Sequence, residues 1–518
     1  MTFEIVFVLL SLLGMVAALI ADKMRPGMIL FSVVVLFLCA GILTPKEMLE
    51  GFSNKGMITV ALLFLVSEGI RQSGTLGQVI KKLLPQGKTT VFKAQLRILP
   101  SVAFISAFLN NTPVVVIFAP IIKHWAKSVN LPATKFLIPL SYVTILGGIC
   151  TLIGTSTNLV VHGMILEAGF EGFSMFELGK VGIFIAIAGI IYIFLFSKRL
   201  LPDARPDTAG PDEEVEEGEK LHRVEAVLGA RFPGINKKLK DFNFQRHYGA
   251  EVKEIKTRNG QRFVSNLEEV VLHEGDTLVV MADDTFIPTW GESSVFVLLT
   301  NGNEPDTTGK KKKRWFALLL LVLMIVGATV GELPITKEMF PDIKLDMFFF
   351  VSITTIIMAW TNLFPARKYT KYISWDILIT IACAFAISKA MVNSGVADSV
   401  AKFIIGLSDD YGPHVLLAMV FIITNLFTEL ITNNAAAALA FPLALSISAQ
   451  LGVSPTPFFV VICMAASASF STPIGYQTNL IVQGIGNYKF TDFVRIGLPL
   501  NIITFLISII LIPLIWNF

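Results

Sequence analysis

The sequence has little charge and few cysteines. Only 16% of its 518 residues are charged, and it contains 4 cysteines and 6 histidines. The cysteines lie in apolar segments without metal-like spacing, which indicates small buried residues and not disulfides or metal ligands; they are Cys39, Cys150, Cys383 and Cys463. No nucleophile–base pair or metal cluster emerges, so we predict that the chain is not an enzyme. The net charge of +3 does not indicate nucleic-acid binding.

Apolar residues dominate instead. They make up 53% of the chain, 41 residues are Phe, and the mean hydropathy is +0.68. Many apolar runs reach the roughly 17–25 residues that a helix needs to cross a bilayer. The first run, residues 3–20, lacks a basic n-region and a small-residue cleavage site, so we interpret it as a retained helix and not a signal peptide. The composition predicts a polytopic membrane protein.

Small polar clusters recur inside these apolar segments. Ser106–Thr112 leads into an apolar stretch ending at Pro120, and Thr428–Asn434 leads into another ending at Pro442, at an offset of 322 residues. Ile153–Gly163 recurs as Ile474–Gly484, at an offset of 321. Paired clusters of this kind are typical of inverted repeats whose broken helices meet at the membrane midplane of a secondary transporter.

The apolar runs predict an all-α membrane protein with two inverted repeats, each with five transmembrane helices and a re-entrant hairpin. We place the first repeat in 1–204, a soluble insert in 205–313 and the second repeat in 314–518. The predicted spans and hairpins are 3–20, 27–43, 57–84, the hairpin 89–128, 133–166 and 179–202, then 315–333, 345–362, 373–404, the hairpin 412–449, 455–486 and 490–516. We expect each hairpin arm to be too short to cross a bilayer alone.

The insert differs in character from the membrane halves. It opens with an acidic run, Asp212–Glu217, and closes with a basic one, Lys310–Arg314. Alternating apolar residues predict a small α/β domain with strands at Leu221–Val227, Ala250–Lys256, Glu269–Leu272 and Asp276–Met281.

Short loops rich in Lys and Arg give the orientation. Threading the spans alternately puts these loops on one face, which the positive-inside rule assigns to the cytoplasm. The basic residues include Lys23, Arg71, Lys123, Lys198, Arg367 and Lys371. The insert is then cytoplasmic, the first hairpin enters from inside and the second from outside.

The repeated clusters supply the oxygen ligands that a small hard cation such as Na⁺ prefers. Such oxygens would meet where a hairpin tip faces a break in a helix, and glycine suits a break because it adopts backbone angles that other residues avoid. The predicted sodium-binding residues are Ser106, Asn110, Asn111 and Gly154 in the first half, and Thr428, Ile431 (backbone), Asn433 and Gly475 in the second.

An anion requires hydrogen-bond donors. Helix N-termini at both tips and both breaks offer unpaired N–H groups and partial positive charge. The predicted substrate-binding side chains are Asn111, Thr112, Thr155, Ser156, Asn433, Asn434, Tyr476 and Gln477. These motifs contain no Lys or Arg, so bound cations would supply the missing charge. Alternatively, these polar residues only form hydrogen bonds between helices or to the backbone. That explanation is more plausible for a single cluster than for two clusters that recur at nearly the same offset.

Several further polar residues give less specific predictions. Glu68 and Lys389 occupy equivalent positions near the ends of their spans, and we expect both to be structural. Glu429 neighbours the second tip, but the first half has Ala107 there, so we favour helix packing over proton coupling. We expect His124 and His162 to be interfacial or packing residues and not ligands.

The motifs resemble the divalent anion:sodium symporter family over nearly all of both membrane halves. That family has Ser-Asn-Thr at each tip and Thr-Pro near each break, whereas this chain has Asn110-Asn111-Thr112 and Thr432-Asn433-Asn434, and Thr155-Ser156 and Tyr476-Gln477. The resemblance implies homodimers that move a transport domain against a scaffold in an elevator mechanism. The bulk of Tyr476 favours a smaller or differently shaped anion than a dicarboxylate.

Residues 232–239 and 272–278 of the insert resemble the C-terminal domain of regulators of potassium conductance (TrkA-C). Such inserts are typical of the branch often assigned to sulfate transport. They can bind small ligands, although a phosphate-binding glycine loop is missing here, and a dimerisation or scaffolding module is an equal alternative.

Together these features predict a sodium-coupled symporter of a small divalent oxyanion in a bacterial inner membrane. Sulfate is the first candidate substrate and a C4-dicarboxylate or citrate the second. A regulated ion channel is an alternative, although a carbonyl-filter motif is missing. A proton-coupled exchanger using Glu429 is a third.

Overall fold

A computed structural model describes residues 3–21, 24–85, 87–203, 222–229, 232–257, 261–283, 286, 290, 295–300, 311–340, 343–406 and 412–518. The acidic run 212–217, Lys23 and Lys310 therefore lie outside the described residues.

The membrane-embedded part is helical and divides into two similar series. The first series contains α1 (Phe3–Ala21), α2 (Pro26–Cys39), α3 (Pro45–Glu50), α4 (Lys55–Gln72), α5 (Thr75–Leu83), α6 (Val91–Ser106), α7 (Asn111–Ser128), α8 (Leu137–Gly148), α9 (Ser156–Glu167) and α10 (Gly179–Leu200). A short helix of the insert, α11 (Phe244–Tyr248), comes next.

The second series follows the insert. It contains α12 (Lys311–Gly331), α13 (Pro334–Met339), α14 (Met347–Trp360), α15 (Trp375–Asn393), α16 (Val396–Gly406), α17 (Gly412–Leu430), α18 (Asn433–Leu451), α19 (Thr456–Ser467), α20 (Gln477–Gly486) and α21 (Phe490–Ile515). Among the described residues, 8 helices are long and apolar enough to cross a membrane. The predicted fold class is confirmed.

Two predicted single spans are each a pair of helices. The span 57–84 turns between α4 and α5 at Gly74, and the span 373–404 turns between α15 and α16 at Gly395. The φ angles of these glycines are +73° and +74°, in the left-handed region where only glycine is free of steric penalty. The shorter helices α5 and α16 then pack against α7 and α18, the second arms of the two hairpins.

The prediction that every hairpin arm is too short to cross a bilayer is wrong for the second hairpin. Its arms, α17 and α18, have 19 residues each and are apolar enough to span. At 1.5 Å per residue each is about 28 Å long, close to the hydrocarbon thickness. The chain nevertheless turns at Ile431 and Thr432, and the tip is buried at Ile431, Asn433 and Asn434.

The two halves interlock around the hairpins. The second arm of the first hairpin, α7, packs against α20 of the second half. Conversely, α18 of the second hairpin packs against α9 of the first half. Each tip is thereby placed beside the helix break of the opposite repeat.

The insert forms a five-stranded antiparallel sheet. Its strands are β1 (His222–Leu228), β2 (Glu251–Lys256), β3 (Arg262–Phe263), β4 (Thr277–Ala282) and β5 (Phe296–Thr300), in the order β3-β2-β4-β1-β5. The predicted strand at Glu269–Leu272 is wrong: a 3₁₀ turn ends at Glu269, and Val271 forms only an isolated bridge to Lys238. Buried Val270 and Leu272 mimic strand alternation, but their backbones bond the 236–239 loop and not the sheet.

The sheet contacts the membrane-embedded helices through a half-buried ion pair. Glu225 on β1 accepts from Lys123 on α7 at 3.1 Å and from Lys256 on β2 at 3.4 Å. Burial raises the pKa of the Glu225 carboxyl, but the two lysines outweigh burial and hold the pKa at about 2. The carboxylate is therefore charged at neutral pH and ties the insert to the first hairpin.

Candidate functional site

Four helices of the membrane-embedded part begin close together, joined by side-chain hydrogen bonds. They are α7 and α18 at the hairpin tips and α9 and α20 at the breaks. Their N-cap residues are Asn110, Thr432, Thr155 and Tyr476, and none of these side chains caps its helix. First-turn N–H groups are therefore not satisfied by a capping side chain, which suits recognition of an anion.

The first hairpin tip is joined to the break of the second half. Asn111 is fully buried, accepts a hydrogen bond from Ser106 at 2.7 Å and donates one to the Tyr476 hydroxyl at 2.6 Å. Thr155, at the break of the first half, lies 3.0 Å from the same hydroxyl. Tyr476 thus connects the first tip to both breaks.

The second tip makes the reciprocal contact with the break of the first half. Ser156 and Thr157 donate to the Asn434 side-chain oxygen at 3.3 and 3.2 Å. Thr428 donates to the Asn433 oxygen at 3.1 Å, which matches the Ser106–Asn111 pair of the first tip. Both tips therefore present a hydroxyl and an amide oxygen side by side, as a small cation requires.

Two pairs of residues that we did not predict as functional hold the breaks in shape. Asn158 donates to the Thr151 carbonyl at 2.9 Å, and Asn479 donates to the Thr472 carbonyl at 3.1 Å. The Thr151 hydroxyl bonds the carbonyl of Ala107, and the Thr472 hydroxyl bonds that of Glu429 at 3.1 Å. The recurrence of these residues at an offset of 321 is the sequence signal that could have identified them.

The glycines of the breaks serve close packing and not unusual backbone angles. Gly154 and Gly475 are outside the positive-φ region, so that part of the prediction is wrong. A Cβ on Gly154 would overlap the Gly148 backbone, and one on Gly475 would overlap the Thr428 carbonyl. A Cβ on Gly148 would lie 2.7 Å from the Asn111 oxygen and 3.2 Å from the Gly154 carbonyl. Gly148 therefore lies at the first predicted cation site, although we did not predict it.

A cavity of about 380 Å³ adjoins this cluster on the side of the insert. Many of its lining residues belong to the tips and breaks: Asn110, Thr112, Ser156, Thr432, Asn433, Asn434, Gly475, Tyr476 and Gln477. The Thr432 hydroxyl is buried without a hydrogen-bond partner at this edge. Phe296 of β5 lies at the wall, so the insert borders the cavity.

Charged residues outside the repeated motifs also line the cavity. Arg71 forms a two-pronged ion pair with Glu68, with both distances 2.7 Å, and Lys371 lies nearby. The charges of Arg71 and Glu68 cancel, so Lys371 gives the cavity lining its net positive charge. Sequence reasoning missed Arg71 and Lys371 because they precede the motifs by many residues and reach the cavity only through the fold.

The remaining predicted residues are peripheral or indirect. Thr112 and Gln477 meet at 3.4 Å at the exposed edge, Asn110 lines the cavity, and Ile431 is buried at the second tip. Lys389 and His162 line a separate cavity of about 1140 Å³, on which Glu167 and Asp346 also border.

Comparison with known proteins identifies relatives over the whole chain. The citrate transporter family (CitMHS) matches residues 16–446 and 343–517. A relative in Synechocystis, the uncharacterized transporter sll0640, is 30% identical over 94% of this chain and 93% of its own length. The sodium/sulfate cotransporter 1 of Chlamydomonas reinhardtii is 33% identical over 55% of this chain and 32% of its own length.

The fold has a solved counterpart. The crystal structure of the Alcanivorax borkumensis YdaH transporter superposes with a TM-score of 0.52 at 12% identity, covering 99% of this chain and 98% of that one. At that identity the likeness concerns the fold alone. The predicted resemblance to the symporters is confirmed at the level of the family, and the chain is a membrane transporter and not an enzyme. With its family matched along nearly its full length, the chain belongs to the citrate transporter family.

Proposed function

We propose that the chain is a sodium-coupled symporter of a small divalent oxyanion, with sulfate as the first candidate. The relatives named sodium/sulfate cotransporters support both the ion and the anion class. A site without a lysine or arginine in its tips and breaks has no full positive charge of its own, because a helix N-terminus is only one end of a dipole. Co-bound cations would supply the net charge that neutralises a dianion.

The observation that carries the proposal is the meeting of four uncapped helix N-termini between two matched sets of oxygen ligands. The proposed substrate donors are Asn111, Thr112, Thr155, Ser156, Asn433, Asn434, Tyr476 and Gln477. The proposed Na⁺ ligands are Ser106, Asn110, Asn111, Gly154, Thr428, Ile431, Asn433 and Gly475. The hydroxyl–amide pairs at 2.7 and 3.1 Å support one cation beside each tip.

Citrate or a C4-dicarboxylate is the second candidate substrate, because the matching family is described as citrate transporters. The position of Tyr476 weighs against it. Its ring lies between the first tip and both breaks and reduces the space for a long dicarboxylate.

We further propose an elevator motion in which the hairpins and broken helices move together. Their mutual packing, α6 with α8, α17 with α19, α7 with α20 and α18 with α9, supports a single moving unit. Homodimerisation, a TrkA-C-like role of the insert, its cytoplasmic location and a bacterial inner membrane remain predictions.

Thermal unfolding of the purified protein in detergent tests the proposal. Sulfate, succinate and citrate are each added with Na⁺ or with choline. We expect sulfate to stabilise the protein only when Na⁺ is present. Stabilisation by citrate or succinate alone would move the substrate to the second candidate, and equal stabilisation in choline would reject sodium coupling.

A further inference from the structure

A carboxylate in the second hairpin lacks a complete set of partners. Oε1 of Glu429 accepts hydrogen bonds from the Ser471 backbone N–H at 2.9 Å and from the Asn501 amide at 2.7 Å. Oε2 of Glu429 is buried and has no hydrogen-bond partner. Asn501 is 6% exposed, and its own side-chain oxygen is also buried without a partner. Two acceptor oxygens on adjoining side chains are therefore unsatisfied.

No described Lys, Arg or His forms an ion pair with Glu429. Glu429 is half-buried, and a carboxylate that has one buried oxygen without a partner and only neutral donors at the other is unfavourable inside a membrane protein. Hydrogen bonds to one oxygen do not supply the missing charge. A proton or a bound cation must therefore accompany this group, and the second unsatisfied oxygen, on Asn501, is a further ligand that a cation can use.

Comparison of the repeats shows that this polar group is an addition to the common framework. Gly182 of α10 packs against Ile149 and Cys150, and Gly497 of α21 packs against Phe470 and Ser471, so the two helices can be aligned on these glycines.

On that alignment Ala107, Cys150 and Ala186 occupy the positions of Glu429, Ser471 and Asn501. Three positions that are small and weakly polar in the first repeat are polar in the second. The first repeat forms the same hairpin and break without these groups, so packing alone does not require them. A function confined to the second repeat explains all three differences.

We propose that Glu429 and Asn501 bind a further Na⁺, through Oε2 of Glu429 and the side-chain oxygen of Asn501. Carboxylate and amide oxygens are suitable ligands for a hard cation. Thr472 links this site to the second tip, because its hydroxyl bonds the Glu429 carbonyl and accepts from the Gly475 N–H at 3.4 Å. The inference rests on the proposed function, since it adds one ion to the two symmetric sites of a sodium-coupled carrier.

The test compares three full-length variants with the wild type, in detergent and in proteoliposomes. Glu429→Gln keeps the shape and removes the charge. The triple variant Glu429→Ala, Ser471→Cys and Asn501→Ala copies the first repeat, which keeps the test valid if the single variant folds poorly. Asn425→Ala is the matched control, since it truncates a half-buried amide of the same arm that bonds the Ala468 carbonyl at 2.6 Å.

We expect Glu429→Gln to unfold at a higher temperature than the wild type in choline, because it buries no uncompensated charge, and to gain less from Na⁺. The Hill coefficient for Na⁺ in sulfate uptake should fall in both variants, because the number of sites sets its upper limit. The control should keep the wild-type Hill coefficient. A Na⁺ response of Glu429→Gln equal to that of the wild type overturns the further site and leaves sodium coupling intact. A wild-type protein that ignores Na⁺ overturns the proposed function itself.

Discussion

The side-chain amide of Asn111 donates a hydrogen bond of 2.6 Å to the hydroxyl of Tyr476, 365 residues away in the chain. Asn111 is at the first hairpin tip and Tyr476 at the helix break of the second half. The bond joins the two inverted repeats at the point where the proposed substrate lies. A side chain from each half must therefore stay in place for the site to exist.

Replacement of either tip asparagine should abolish coupled transport. Asn111→Ala removes the amide that bonds Tyr476 and the oxygen that accepts from Ser106, and Asn433→Ala removes the side-chain oxygen that lies beside the Thr428 hydroxyl. Loss of the Asn111 oxygen leaves the buried Ser106 hydroxyl without its acceptor, which costs about 1–3 kcal/mol, whereas the Thr428 hydroxyl keeps its bond to the Ala466 carbonyl. Sulfate uptake into proteoliposomes under a Na⁺ gradient measures the effect, with size-exclusion profiles to confirm folding. Asn393→Ala, an exposed amide, is the control, and normal uptake by both tip variants would show that the site is misplaced.

Tyr476 should restrict the size of the anion. Tyr476→Thr removes the ring, releases Asn111 and Thr155, and introduces the small hydroxyl that the resembling symporter family carries. We expect the ratio of succinate to sulfate uptake to rise, by about tenfold for a change of 1.4 kcal/mol in relative binding. Competition of unlabelled succinate against labelled sulfate measures this ratio. Tyr369→Thr, at an exposed position, should leave it unchanged; an unchanged ratio in Tyr476→Thr would mean that the ring does not limit the site.

Gly148→Ala should impair the cation site proposed beside Asn111. The added methyl would lie 2.7 Å from the Asn111 oxygen, closer than carbon and oxygen pack, so that oxygen must move. We expect a higher Na⁺ concentration for half-maximal uptake, while the protein remains inserted. Gly14→Ala is the matched control, because a Cβ there meets nothing within 4 Å. Equal Na⁺ dependence in the two variants would argue against a cation beside Asn111.

The ion pair between the insert and the first hairpin should give a pH-dependent contribution to stability. The pKa of Glu225 falls from 4.5 to about 2 on folding, so the contribution is complete above pH 4.5 and is lost as the pH falls towards 2. A pKa shift of this size corresponds to a stabilisation on the order of 3 kcal/mol. Glu225→Gln should therefore lower the unfolding temperature at pH 7, and the difference from wild type should shrink below pH 4.5.

The exposed pair Glu251–Lys253 provides the comparison for Glu225→Gln. Glu251→Gln should have little effect at any pH, because exposed ion pairs contribute about 0–1 kcal/mol. Unfolding of the full-length variants in detergent is followed between pH 3 and 8. A difference between Glu225→Gln and wild type that does not change over this range would contradict the assigned ion pair.

Local properties of the sequence were enough to predict the class and much of the fold. Helix spans follow from the length of apolar runs, and the tips follow from polar residues that recur at a nearly constant offset. The same reasoning failed at Glu269–Leu272, because alternating burial there arises from contact with a loop and not from a sheet partner. It also assigned Gly154 and Gly475 to unusual backbone angles, whereas the need for close packing is visible only in three dimensions.

The sequence by itself determined that the chain is a membrane protein with two repeats, and which polar groups lie at their tips and breaks. The reason is that hydropathy and internal repetition can both be recognised from the order of the residues alone. The tertiary structure decided which groups meet. Each tip faces the break of the opposite half, so Asn111 meets Tyr476 and Asn434 meets Ser156. It also brings Lys371 to the cavity and leaves Glu429 without a countercharge among the described residues. These relationships depend on how two inverted halves interlock, which is a property of packing between distant segments and not of either segment alone.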